Sequence, residues 1–173
     1  RRKQTEKTAQ KLHRMYSSLS ETNAASLRAV SVESLYHSVC DAAIKGGKFA
    51  VCTIFAIDKT QHLRAVAFAG EHGPGLLDVS IPIEPSAAFP LLCGEESVAV
   101  LLFYSFDIGT FDAEVVELLQ SMADNVSFAL ENFSNEKKRL EAERVLQENE
   151  ERFRSLTHLS SDFFWEMNDS FLI

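Results

Sequence analysis

The sequence predicts an α+β fold: an antiparallel sheet with helices on one face and a long C-terminal helix. Three observations carry this. Two amphipathic segments come first; short β-prone segments follow, joined by links too short for crossover helices; the last third repeats apolar residues at alternating steps of four and three.

From Glu6 to Ala29 the apolar residues Leu12, Tyr16, Leu19 and Leu27, with Ala9 and Met15, recur at helical spacing on a polar background, so residues 1–30 are expected to form an amphipathic helix. Ser31 can cap a second helix that carries Val32, Leu35, Tyr36, Val39 and Ala43 on one side and stops at Gly46-Gly47. Phe49 to Ile57 is a β-prone run, followed by the polar turn Asp58 to His62 and a second strand from Leu63 to Ala69. Gly70 to Gly75 reads as a loop and Leu77 to Ile83 as a third strand. Ala88 to Leu92 and Val98 to Ser105 then form a hairpin around the turn Cys93 to Ser97.

Thr110 or Asp112 can cap the final helix. Along it Val115, Leu119, Met122, Val126, Ala129 and Phe133 make a heptad-like seam, which Leu140, Leu146 and Phe153 continue sparsely through a stretch rich in Glu, Lys and Arg. A helix of that length needs a partner or remains half-solvated. The first strand alternates cleanly: Ala50, Cys52, Ile54 and Ala56 share a face small enough for helices to approach, and Val51, Thr53, Phe55 and Ile57 share the other. The second set mixes apolar bulk with a hydroxyl, a composition suited to lining a ligand cavity.

Composition narrows the function. Hydrophobic residues at 46% and charged residues at 24% are those of an ordinary folded domain. The net charge of −8, with the basic residues interleaved among acidic ones, builds no groove for phosphates, so nucleic acid is not the expected partner. Cys40, Cys52 and Cys93 have neither disulfide nor zinc spacing; a reducing, cytoplasmic setting fits. The five histidines are scattered, so no metal site is expected, and no catalytic residues are assigned. No apolar run is long enough for a membrane span within this fragment. Opening on Arg1 and ending mid-pattern, the chain reads as part of a longer protein.

The segment Ala42-Ala43 through Gly46-Gly47-Lys48-Phe49, the strand ending Ile57-Asp58, the hairpin Ala88-Phe89-Pro90-Leu91-Leu92 and the opening Thr110-Phe111-Asp112-Ala113-Glu114 before Leu118-Leu119 resemble the GAF family. The resemblance spans roughly Leu12 to Phe133 and implies a GAF-like sensor domain over 31–133. A further stretch, Glu150-Glu151-Arg152-Phe153-Arg154-Ser155-Leu156 and then Ser161-Asp162-Phe163-Phe164-Trp165-Glu166, resembles the connector and first strand of a PAS domain. Residues 134–157 are then a helical linker, and 158–173 the start of a PAS-like domain. Between the third strand and the Phe-Pro hairpin the family usually carries a few tens of residues that lid the pocket. Here Ile83 to Ala88 joins them directly, so a lid segment is expected to be missing near 84–88.

The resemblance implies a regulatory, non-enzymatic module. Thr53, Phe55, Val100, Leu102 and Tyr104 are the candidate pocket residues on the face opposite the helices, awaiting a small molecule of unknown identity; no cofactor is assigned. Leu119, Met122, Val126, Phe133, Leu140 and Leu146 are the candidates for a helical homodimer and linker. The GAF–PAS order is similar to sensor parts of diguanylate cyclases, cyclic-di-GMP phosphodiesterases and histidine kinases. A ligand-free dimerisation or spacer module is the alternative.

Overall fold

The computed structural model describes residues 2–47, 49–70 and 86–170. In chain order it has α1 (Arg2–Arg28), α2 (Val32–Gly47), β1 (Val51–Ile57), β2 (Leu63–Gly70), β3 (Ser86–Cys93), β4 (Glu96–Tyr104) and α3 (Ala113–Ser170). The four strands form one antiparallel sheet in the order β2-β1-β4-β3. The expected third strand at 77–83 and the junction at 84–85 lie outside the described residues, while Ser86, Ala87 and Ala88 already belong to β3.

Local chemistry sets the element ends. At the start of α2 the Ser34 amide donates to Ser31 Oγ (3.1 Å) and the Ser31 amide to Ser34 Oγ (3.1 Å), a reciprocal cap that satisfies two otherwise orphaned donors. Of the two candidate caps for α3 the structure selects Asp112, whose Oδ1 accepts from the Val115 amide at 3.0 Å. Thr110 instead donates its hydroxyl to the Asp107 carbonyl (2.8 Å) and closes the preceding turn. In the β1–β2 turn, Asp58 Oδ1 accepts from the Thr60 amide, the Thr60 hydroxyl and the His62 amide, at 2.8, 2.6 and 2.9 Å. These bonds hold the Asp58 carboxyl below its ordinary pKa, the Thr60 hydroxyl contributing most.

The chain divides into two compact units, residues 1–133 and 134–173. In the first, one face of the sheet is the core: Cys52 and Ile54, Ala67, Phe89 and Leu91, and Ala99, Leu101 and Phe103 cluster with Leu35, Val39, Cys40 and Ala43 of α2 and Val115, Leu119, Met122 and Val126 of α3. Phe103 sits among aromatics, its ring centroid 4.9 Å from Phe49 and 6.1 Å from Phe89. The half of the seam assigned to a partner helix is thus spent inside this chain: Leu119, Met122 and Val126 are fully buried and Phe133 is partly buried against the same core. A period of 3.5 cannot distinguish packing on a sheet from packing on a second helix.

Helix α1 corrects another expectation. It buries Met15, Ser18 and Thr22, while Tyr16 and Leu27 of the expected core stripe are 59% and 87% exposed. The cause is a close helix contact. A Cβ built on Gly46 of α2 would stand 2.4 Å from Ser18 Cβ, so the two backbones meet where both residues are small, and Ser18 Oγ donates to the buried Ala42 carbonyl at 3.3 Å. On its other side Asn23 Oδ1 accepts from Asn125 Nδ2 of α3 at 2.8 Å.

In the second unit, α3 carries a ladder of ion pairs. Arg139 binds Glu136 (2.8 Å) and Glu143 (2.5 Å), and Arg144 binds Glu141 (2.7 Å) and Glu148. Such pairs at i,i+3 and i,i+4 on a solvated helix are screened by water and each supports the helix only weakly. Leu140, Leu146 and Phe153 remain 52%, 61% and 73% exposed. Residues 161–166, expected to open a PAS strand, are helical, since α3 runs to Ser170.

Candidate functional site

Strand alternation and register decide what shares the sheet face away from the helices. Thr53 stands opposite Leu102 on one side and Phe68 on the other; Phe55 stands opposite Val100; Tyr104 stands opposite Val51 and Ser86. The five residues singled out from the sequence therefore do lie together, on adjacent central strands. Phe68 was missed, because its place depends on the β1–β2 register, which carries a bulge between Ile54 and Phe55. The signal available was the five-residue turn that brings β2 back alongside β1.

Thr53 is the distinctive member. It is 1% exposed, and its Oγ1 has no hydrogen-bond partner among the described residues. A hydroxyl taken out of water without compensation costs about 1–3 kcal/mol. Around it Phe55, Phe68, Val100, Leu102 and Tyr104 are half-buried. Tyr104 turns its ring edge-on to Phe106, with centroids 5.5 Å apart. No ionisable group other than the Tyr104 phenol occurs at these positions. The nearest described basic residue on β2, Arg64, pairs with Ala56, which belongs to the opposite side of the pleat.

The thiols are placed for structure. Cys40 and Cys52 are both fully buried, and burial first, then the Cys40–Cys52 hydrogen bond, pushes the Cys52 thiol well above its ordinary pKa. A thiol in that state is a poor nucleophile. Cys93, at the end of β3, is half-buried near Tyr36, whose phenol is raised by burial and by that thiol. Among the described residues no three His, Cys, Asp or Glu side chains converge as metal ligands, and no helix is long and apolar enough to cross a membrane. A concavity of about 660 Å³ opens between the end of α2 and the strand ends, with Asp41, Lys45 and Asp107 among its lining residues. Its charged groups are exposed and mixed in sign.

No protein-family model matches the chain, and no curated protein matches it in sequence. Solved structures do match in fold. The GAF domain of a candidate sensor histidine kinase from Pseudomonas syringae pv. tomato superposes with a TM-score of 0.61 at 17% identity, covering 80% of this chain and 99% of that one. The GAF domain of a phosphoenolpyruvate-protein phosphotransferase from Coxiella burnetii gives 0.59 at 11%, covering 73% and 98%. The free methionine-R-sulfoxide reductase from Neisseria meningitidis, solved with its substrate, gives 0.57 at 12%, covering 68% and 88%. The class is therefore defined by architecture: an antiparallel sheet with helices on one face and a long C-terminal helix. That architecture is the GAF-like α+β fold.

Proposed function

We propose that this chain is a non-catalytic sensory module that binds a small molecule on the sheet face opposite the helices. The observation that carries the reading is Thr53: a buried hydroxyl without a hydrogen-bond partner among the described residues, amid half-buried apolar side chains, gains a bond if a ligand's polar atom meets it. The fold shared with the GAF domain of a candidate sensor histidine kinase is in keeping with it.

Ligand on the outer face would bias how the sheet packs on α3. The edge strand is tied to that helix, the Leu92 amide donating to Ser127 Oγ (2.9 Å) and Ser127 donating to the Ala123 carbonyl (2.8 Å). A ligand shifts such packing only by binding one arrangement more tightly than another. In this proposal α3 delivers the change to a following PAS domain and an output domain, with cyclic-di-GMP signalling as the expected setting. The module works as a cytoplasmic homodimer.

The test is a thermal-shift panel of metabolites on the purified chain, repeated on Thr53→Val and Leu102→Glu. A compound that stabilises the parent and not the variants supports sensing. A panel without such a compound, on a chain that dimerises, favours the second reading, a ligand-free dimerisation spacer. The exposed Leu140, Leu146 and Phe153 are what speak for that alternative.

A further inference from the structure

Resting on the sensing reading above, we infer that the ligand is an uncharged, largely apolar small molecule with a flat ring and one hydrogen-bonding group that meets the Thr53 hydroxyl. Three features of the site converge on this class. The first is position: Thr53 is 1% exposed while Phe55, Phe68 and Leu102 remain half-buried, so the unmatched group lies at the bottom of the face and not on its rim. The oxygen is closed to water, so a ligand meets it only by parting the side chains around it, which a single projecting polar atom on a small molecule can do and a flat protein surface cannot.

The second is charge. Thr53, Phe55, Phe68, Val100 and Leu102 offer no cation, and Arg64 falls on the other side of the pleat. Among the described residues a phosphate or carboxylate laid here would meet the Thr53 and Tyr104 hydroxyls but no cation, and the hydration it sheds is repaid only by a paired counter-charge. The third is the pair of phenyl rings. Phe68 is directly across from Thr53, and Phe55 is two residues along the same strand, so both stand on the hydroxyl's side of the pleat. Rings so placed favour an aromatic guest through offset or edge contacts.

The experiment uses the full 173-residue chain and four probes, in calorimetry and thermal shift at pH 7: indole, indole-3-acetate, guanosine 3′,5′-cyclic monophosphate and methionine sulfoxide. Indole is expected to bind at least about tenfold more tightly than its carboxylate analogue, the carboxylate having no cation to meet. The nucleotide and the sulfoxide are expected to leave the melting midpoint unmoved. Thr53→Val should weaken indole about fivefold, the worth of one neutral hydrogen bond, and Leu102→Glu should abolish its binding. Thr53→Val preserves side-chain shape, so it keeps the test available if Leu102→Glu does not fold. Tighter binding of the carboxylate or the nucleotide, still lost in the variants, would overturn the ligand class and leave the site standing. Binding by none of the four, or binding indifferent to both substitutions, would overturn the site with it.

Discussion

Replacing Thr53 by Val should make the ligand-free protein more stable. The side chain is 1% exposed and its oxygen has no partner among the described residues, so the native state carries the desolvation cost of a hydroxyl without a hydrogen bond in return. Valine keeps the branched shape and sits at least as well in a strand. The expected gain is about 1–2 kcal/mol, the usual cost of an unmatched buried hydroxyl. For a domain of this size that raises Tm by about 3–8 °C. Thr53→Ala is the control: it removes the hydroxyl and a buried methyl together, and the lost packing should bring it back to neutral or below. Urea denaturation with calorimetry measures both. If Thr53→Val instead destabilises the chain by 1 kcal/mol or more, the hydroxyl is hydrogen-bonded in solution, and the sensing proposal loses its anchor.

Four further outcomes follow from the geometry. Gly46→Ala should cost about 1–3 kcal/mol in urea denaturation through overpacking, although alanine favours a helix, because its Cβ would lie 2.4 Å from Ser18 Cβ and 2.5 Å from Ser18 Cα; a neutral result would mean α1 is free to move away. Leu119→Ala should cost about 2–5 kcal/mol, whereas Leu140→Glu with Leu146→Glu should leave the domain's melting unchanged and weaken self-association in sedimentation; an unchanged mass would remove the linker from any dimer contact. Glu136 and Glu141 are held below the ordinary carboxylate range, chiefly by hydrogen bonds from Arg139 and Arg144. Their stabilisation is therefore present above the unfolded value of about 4.3 and lost as pH falls through the depressed folded values, so far-UV ellipticity should decline in that window, and less of it should depend on pH in 1 M salt.

Where one residue period maps onto one partner, the sequence was readable. Alternation in β1 separated Cys52 and Ile54 from Thr53 and Phe55, and the family resemblance set Val100 and Leu102 with the latter pair opposite the helices, so the sheet and most of the candidate site could be inferred. Partner identity was not. The α3 stripe looks the same whether it meets a sheet or a second helix, and Leu119, Met122 and Val126 met the sheet. In α1 the largest apolar residues suggested the wrong face, because the close approach of Ser18 to Gly46 selects small side chains and turns Tyr16 and Leu27 outward. Phe68 required a register that a bulge displaces. Residues 161–166 carry three aromatics in six positions, a composition that reads as strand when taken alone, yet they continue a helix begun far upstream.

The burial of Cys40 and Cys52 beside the half-exposed Cys93 gives the folded domain a chemical signature of its own. A thiol-alkylating reagent should consume the half-exposed thiol first and reach the two buried ones only when α2 lifts from β1. Counting modified thiols by mass against time would then report the opening rate of the helix–sheet contact directly, and a dye attached at Cys93 would stand at the hairpin tip, where the backbone turns at Gly94 with φ 65° and no neighbour lies within 4 Å of a Cβ built there. The protein supplies its own label position without the removal of a single native cysteine.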